Sequence, residues 1–282
     1  MNKDHAYFVA KKRAQEPIVM VTCYDYPTAQ MEDAAGIDII FVGDSVGTNV
    51  LGYAAETEVT MADMLHHLKA VRRGVQAAYL LVDLPYGAYD TPQLALANAR
   101  RLVAQGADGV KLEGGVEQVE VVQALVNEGI EVCGHIGFTP QTLGSKGRVQ
   151  GRSLAEGQAL LRSALALEQA GVSLLVLELV NEPISQLITQ QLQIPTIGIG
   201  SGRFCDGQVL VITDLLGIST VERKLMKRYE RLRERSIEAL TQFKREVQQR
   251  LFPTEANAFY KIALDEVAQL VEWVHQGMPG DR

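Results

Sequence analysis

The sequence contains few cysteines, no long apolar run and no excess of basic residues. Its three cysteines, among 282 residues, show no Cys-x-x-Cys spacing, and their odd number argues against a secreted disulfide framework. No segment approaches the roughly 20 apolar residues of a membrane-spanning helix, and the N-terminal pattern is not that of a signal peptide. Lys and Arg number 27 against 34 Asp and Glu, and the net charge of −7 argues against nucleic acid as a main partner. We therefore expect a cytoplasmic protein that binds neither nucleic acid nor membranes.

Short apolar runs rich in β-branched residues alternate along the chain with longer helical patterns. Eight such runs occur, at residues 17–24, 38–43, 78–85, 108–114, 130–135, 173–179, 194–200 and 208–214. Near-continuous apolar strands that alternate with helices are typical of a parallel sheet covered on both faces. Eight of them predict an α/β fold, a (β/α)8 barrel. A doubly wound sheet is the alternative, but the glycine fingerprint expected after its first strand is missing.

The pattern changes near residue 220, where a highly charged helical segment begins. We interpret residues 1–282 as one domain, with a barrel over about 17–220 and a C-terminal helical appendage over about 221–282. The appendage would be either the extended last helix of the barrel or a contact between subunits.

Polar and charged side chains stand at the ends of five predicted strands. They are, in chain order, Asp44 and Ser45, Asp83, Lys111 and Glu113, His135, and Glu178. Each has a simpler interpretation when taken alone; Asp44, for example, could merely cap a helix. Glu178 is harder to explain in that way, because a carboxylate among apolar residues is costly unless it is paired or functional. In a barrel the C-terminal strand ends converge on one mouth, so these residues together predict a single active site.

Three carboxylates from different strands predict a metal site. Asp44, Asp83 and Glu113 supply the hard oxygen donors that Mg²⁺ prefers, and no zinc motif is present. Such an ion can chelate an α-keto acid and stabilise its enolate as a Lewis acid. Lys111 would add positive charge there, and Glu178 is the predicted general base.

Several motifs, in order, resemble those of the ketopantoate hydroxymethyltransferase family. They include VTCYDYPTAQ, FVGDSVG, LLVDLPYGAY, GADGVKLEGG, VCGHIGFTPQ and DGQVLV, and the resemblance runs from about residue 17 to 262. It implies a Mg²⁺-dependent barrel of the phosphoenolpyruvate/pyruvate superfamily, active in pantothenate biosynthesis. The implied reaction transfers a hydroxymethyl group from 5,10-methylenetetrahydrofolate to 3-methyl-2-oxobutanoate, giving 2-dehydropantoate. The implied assembly is a homo-oligomer, a decamer.

The resemblance also implies roles for individual residues. The metal-associated acids of the family fall on Asp44, Asp83 and Glu113. Its keto-acid contacts fall on the same two aspartates and on Ser45 and Lys111.

The proton acceptor of the family falls on Glu178, and its strand-end histidine on His135. After the acceptor this chain has Leu179, where the family usually has cysteine. Basic residues in the predicted mouth loops are candidates for binding an anionic folate tail: Lys146, Arg148, Arg152 and Arg203.

Two other functions are kept as alternatives. One is a Mg²⁺-dependent lyase or mutase of the same superfamily, which would make or break a different C–C or C–P bond of a keto acid bound to the metal in the same way. The other is a barrel without catalytic activity, which the presence of a full set of acids, lysine and base argues against.

Overall fold

The computed structural model describes residues 3–144, 147–222 and 224–277. These residues form two compact units, which divide between Arg231 and Leu232. The first unit contains eight parallel strands in sequential order, and the sheet closes because the first strand pairs with the last. The strands are β1 (Ile18–Thr22), β2 (Ile39–Val42), β3 (Tyr79–Asp83), β4 (Gly109–Glu113), β5 (Glu131–Gly137), β6 (Leu174–Glu178), β7 (Thr196–Ile199) and β8 (Gly207–Leu210). The predicted barrel is therefore confirmed.

Helices precede the barrel and connect most of its strands. In the first unit they are α1 (His5–Ala14), α2 (Tyr26–Ala34), α3 (Met61–Gly74), α4 (Pro92–Val103), α5 (Val119–Asn127), α6 (Pro140–Leu143), α7 (Leu154–Ala170), α8 (Glu182–Gln191) and α9 (Ile212–Leu215). Residues 200–206, which join β7 to β8, contain no helix. The predicted run 208–214 is too long, because the chain leaves its strand at Leu210 and enters α9 two residues later.

The second unit contains α10 (Leu232–Gln248) and α11 (Leu264–His275). The assignment of the whole chain to one domain with a helical appendage stays a prediction. Among the described residues, no helix combines the length and the apolar character needed to cross a membrane.

The strands are apolar on both faces because the barrel buries both. In β3, Leu80 and Val82 belong to the apolar cluster shared with the helices, whereas Tyr79 and Leu81 belong to a second cluster with Phe8. Alternate side chains of a strand point to opposite faces, so the second cluster is the filling of the barrel. All five residues are buried. The continuous apolar runs in the sequence follow from this double burial.

Helix α1 closes the end of the barrel at which the strands begin. Phe8 is fully buried, and its ring meets that of Tyr79 edge-on, with 5.4 Å between the ring centroids. Lys11 Nζ donates to Asp38 Oδ2 at 2.8 Å, and Asp38 directly precedes β2. With this end sealed, the C-terminal strand ends form the open mouth of the barrel.

We predict that Phe8→Ala lowers the free energy of unfolding by about 3–5 kcal/mol, because the removed ring leaves a cavity. The melting temperature, followed by circular dichroism, should fall by roughly 2–4 °C for each kcal/mol. Arg13→Ala, on the exposed side of the same helix, is the matched control and should change stability by less than about 0.5 kcal/mol. Equal melting of Phe8→Ala and the unchanged protein would show that α1 does not support the barrel.

Candidate active site

The structure brings the predicted strand-end residues together at the barrel mouth. Asp83 is the last residue of β3 and lies beside Lys111 of β4 in the sheet register. Glu113, the last residue of β4, lies beside His135 of β5 in the same way. Glu178 ends β6. The remaining two predicted residues, Asp44 and Ser45, lie just beyond β2, after Gly43.

Asp83 is held between a backbone amide and a lysine. The backbone N–H of Asp44 donates to Asp83 Oδ2 at 2.9 Å, and Lys111 Nζ lies 2.6 Å from Asp83 Oδ1. The side chains of the ion pair are 5% and 1% exposed, for Lys111 and Asp83 respectively. Lys111 Nζ also lies 5.3 Å from the centre of the Phe41 ring, which belongs to the filling of the barrel. The lysine is therefore enclosed by carboxylates and apolar groups.

Burial and mutual repulsion shift the ionisation of this cluster. Burial raises the pKa of Asp44 well above its usual value, and the neighbouring Asp83 charge raises it further. Burial also raises the pKa of Asp83, although Lys111 opposes the shift. For Lys111, burial favours the neutral amine, but the surrounding carboxylates outweigh it and raise the pKa. The lysine therefore stays protonated at neutral pH.

His135 lies between two glutamates. Its Nδ1 is 3.2 Å from Glu113 Oε1, and its Nε2 is 3.4 Å from Glu178 Oε2. Burial and the charge of Lys111 oppose protonation, yet the two glutamates raise the pKa of His135 to about 9. Burial likewise opposes ionisation of Glu113, but His135 and Lys111 lower its pKa. The side chain of Glu178 is 19% exposed, so this carboxylate is the one that solvent and substrate reach most easily.

The backbone bends sharply directly after Glu178. Leu179 has a φ of 50°, in the left-handed region that a bulky residue adopts at a cost of about 1–2 kcal/mol. Its N–H donates to the Ile199 carbonyl at 2.9 Å, and its carbonyl accepts from Gln150 N at 2.7 Å. These two bonds hold the bend. Strained backbone of this kind is concentrated at functional sites.

Three neutral polar residues join the site without having been predicted. Tyr24 Oη lies 2.8 Å from Ser45 Oγ, and the tyrosine is buried. Gln141 donates to Asp44, and Tyr89 donates to Gln141. Gln141 and Tyr89 lie in motifs that carry the family resemblance, but a neutral side chain gives no charge pattern by which to select it.

Two of the predicted basic loop residues pair with acids through their side chains, whereas Arg152 donates to Glu156 Oε2 through its backbone N–H, at 2.8 Å. Arg203 Nη2 lies 2.8 Å from Glu182 Oε1, and Arg148 Nη2 lies 3.8 Å from Glu156 Oε1. Lys146 falls outside the described residues. Their contact with a folate tail stays a prediction.

The chemistry of the three acids fits Mg²⁺. Among the described residues, no group of three or more His, Cys, Asp or Glu side chains is arranged so that these side chains could hold a metal ion by themselves. Both oxygens of Asp83 and of Glu113 contact protein groups, as does Asp44 Oδ2. Asp44 Oδ1 has no hydrogen-bond partner among the described residues, which leaves it available to a ligand. Mg²⁺ is commonly held by one or two carboxylates and completed by water and substrate, so this set of donors suits it.

Comparison with known proteins assigns the family. The sequence model described as ketopantoate hydroxymethyltransferase matches residues 3–255. The chain belongs to this family. It is an enzyme, a hydroxymethyltransferase.

Two relatives show how close the similarity is. The 3-methyl-2-oxobutanoate hydroxymethyltransferase of Thermotoga neapolitana is 51% identical over 254 residues, 88% of this chain and 94% of the relative. The protein of the same name from Moorella thermoacetica is 50% identical over 256 residues, 89% of this chain and 95% of the relative. The crystal structure of 2,3-dimethylmalate lyase, a PEP mutase/isocitrate lyase superfamily member, covers 97% of this chain and 99% of its own with a TM-score of 0.58. At 13% identity this last likeness concerns the fold alone.

We predict that the buried ion pair has a large coupling energy. Lys111→Met leaves the Asp83 carboxylate buried without its cation and should lower the free energy of unfolding by about 3–5 kcal/mol. Adding Asp83→Asn removes that charge and should restore part of the stability. Thermal unfolding of the two single variants and the double variant, without added metal, measures the coupling.

The exposed pair Arg100–Glu128, with 2.6 Å between Arg100 Nη2 and Glu128 Oε2, provides the matched control. The cycle of Arg100→Met and Glu128→Gln should give a coupling below about 1 kcal/mol. The prediction would be contradicted if the stability changes of Lys111→Met and Asp83→Asn summed, within about 0.5 kcal/mol, to that of the double variant.

Proposed function

We propose that the enzyme transfers a hydroxymethyl group from 5,10-methylenetetrahydrofolate to 3-methyl-2-oxobutanoate. One water is consumed, and 2-dehydropantoate and tetrahydrofolate are released. The observation that carries this proposal is the partly exposed Glu178 carboxylate beside a buried cluster of acids and one lysine. A base next to a site for an anionic, metal-chelating keto acid is what proton removal and C–C bond formation require. The names of the relatives support the same substrate.

Glu178 removes the proton from C3 of the keto acid in this proposal. The electrons of the broken C–H bond become the enolate, whose C3 forms the new bond to the methylene carbon of the folate. Water supplies the hydroxyl oxygen at that carbon and both of its C–N bonds break. The proton taken from C3 and one proton of the water end on the two folate nitrogens, which gives tetrahydrofolate. His135 Nε2 lies 3.4 Å from Glu178 Oε2, close enough for a protonated His135 to attract the carboxylate of the base. Both ring nitrogens of His135 face carboxylates, so its protonated form is stabilised at this position.

Asp44, Asp83 and Glu113 are the proposed residues for holding Mg²⁺. A divalent cation bound there would polarise the keto and carboxylate oxygens of the substrate as a Lewis acid. Ser45 and Lys111, together with the two aspartates, are the proposed contacts of the keto acid. Lys111 is protonated and buried, so its charge is available to the negative charge that develops on the substrate without reorganisation of water.

The cellular setting is also part of the proposal. The acidic composition and the few cysteines support a cytoplasmic location. A homo-oligomer, a decamer, is proposed from the family. The reaction would then supply pantothenate biosynthesis.

A product assay on the purified protein tests the function. We predict that 2-dehydropantoate forms only when 3-methyl-2-oxobutanoate, 5,10-methylenetetrahydrofolate and Mg²⁺ are all present, and that chelation of the metal stops the reaction. Products can be identified by mass spectrometry with isotope-labelled methylene carbon. Conversion of the keto acid without the folate would instead indicate the lyase or mutase, and no conversion under any condition would indicate a barrel without activity.

A deuterium-exchange assay tests the role of Glu178. Enolate formation does not require the folate, so the C3 proton of the keto acid should exchange with D2O when Mg²⁺ is present. Glu178→Gln removes the basic carboxylate with little change in size, and exchange and turnover should both fall by roughly 10²–10⁴-fold. NMR of the C3 proton measures the exchange, and calorimetry should show that the variant still binds the keto acid.

Glu120→Gln, at an exposed position of α5, is the control for the loss of a carboxylate and should exchange normally. Unchanged exchange in Glu178→Gln would move the base to another residue, of which His135 is the first to test.

A further inference from the structure

Gln141 contacts two of the proposed metal-holding acids at once. Its backbone N–H donates to Glu113 Oε2 at 3.0 Å, and its side-chain Nε2 donates to Asp44 Oδ2 at 2.7 Å. The same Nε2 donates to the carbonyl of Leu84 at 3.3 Å. Gln141 is only 5% exposed and lies in α6, after β5, whereas the acids lie on β4 and after β2. One residue thus connects the end of β4, the segment after β2 and the segment after β3.

Tyr89 fixes the direction of these hydrogen bonds. The backbone N–H of Glu113 donates to Tyr89 Oη at 3.3 Å, and a backbone amide can only donate. The hydroxyl hydrogen of Tyr89 is then directed to Gln141 Oε1. With its oxygen towards Tyr89, the amide of Gln141 presents its two N–H groups to Asp44 and to the Leu84 carbonyl. If the amide of Gln141 were flipped, its oxygen would face two hydrogen-bond acceptors. The amide therefore has a single favourable orientation.

The consequence for Asp44 is that one of its two oxygens is occupied and the other is left for a ligand. Gln141 holds Asp44 Oδ2, and Asp44 Oδ1 has no hydrogen bond to a described residue. Without the amide, a buried carboxylate near Asp83 and Glu113 would be repelled by both and lose its fixed position. Outer hydrogen-bond partners of this kind orient metal-binding side chains.

We propose that Gln141, oriented by Tyr89, is a positioning residue that fixes the Asp44 and Glu113 carboxylates for metal binding. The inference rests on the proposed function in one respect, namely that these acids hold a divalent cation. It predicts that removing the amide weakens metal binding by about 10–100-fold, the usual effect of losing an outer partner. Removing only the Tyr89 hydroxyl should weaken it by roughly 5–10-fold, because a net neutral hydrogen bond is lost.

Binding of Mn²⁺ is the test, because its EPR signal reports the free ion directly and requires no turnover. Gln141→Met keeps the volume of the side chain and removes its amide, and Tyr89→Phe keeps the ring. Tyr89 reaches Asp44 only through Gln141, although it also accepts the backbone N–H of Glu113, so the double variant should bind Mn²⁺ at most slightly more weakly than Gln141→Met alone. Additive effects would indicate that Tyr89 and Gln141 contribute independently, and would overturn the proposal that Tyr89 acts on Asp44 by orienting Gln141.

Two variants control for the changes of side chain. Tyr86→Phe alters an exposed tyrosine of the same loop, and Gln105→Met alters an exposed glutamine after α4. Both should bind Mn²⁺ as the unchanged protein does. Melting temperatures of all variants show whether folding is affected, and Tyr89→Phe decides the question if Gln141→Met proves unstable.

The outcomes separate this inference from the proposed function. If the unchanged protein binds Mn²⁺ and both Gln141→Met and Tyr89→Phe bind it equally well, the positioning role is wrong while the metal site stands. If the unchanged protein itself binds no Mn²⁺ in the presence or absence of the keto acid, both proposals fail. Weaker binding in the two variants, with normal binding in Tyr86→Phe, supports the positioning role.

Discussion

The buried ion pair between Lys111 and Asp83 is the interaction on which the arrangement of the mouth depends. Removing a charge from water costs several kcal/mol per ion even after relaxation, and three carboxylates are brought together here. One lysine, 2.6 Å from Asp83 Oδ1, favours the ionised form of that carboxylate and so opposes the effect of burial, which raises its pKa. Asp83 in turn accepts the backbone N–H of Asp44 and so sets where the chain leaves β2. Fixing the lysine therefore fixes two of the three acids.

The barrel makes this concentration of charge possible by using its two ends differently. At the end where the strands begin, α1 covers the apolar filling with Phe8, and its lysines pair with acids of the barrel. At the other end, the parallel register of the strands sets Asp83 beside Lys111 and Glu113 beside His135. No flexible loop is needed to bring these side chains together. Side chains on neighbouring strands are rigid relative to each other, which is what a preorganised site requires.

The barrel and the charged part of the site could be predicted from the sequence, whereas the neutral part could not. An apolar run that ends in a charged residue marks a strand end, and this reasoning found Asp44, Asp83, Lys111 and Glu178. The same reasoning placed the end of β8 too late, because the apolar stretch continues from the strand into α9 without a change in composition. Gln141 and Tyr89 were not predicted as site residues, because the role of a neutral amide or hydroxyl depends on the groups that the fold places around it.

The neutral character of Gln141 matters for the positioning role that we propose for it. A second lysine at that position could also hold Asp44, but it would cancel the negative charge that attracts a cation. Hydrogen bonds from an amide orient the carboxylate without neutralising it. The amide thus fixes the carboxylate without placing a positive charge beside it, which suits the proposed site for a divalent cation.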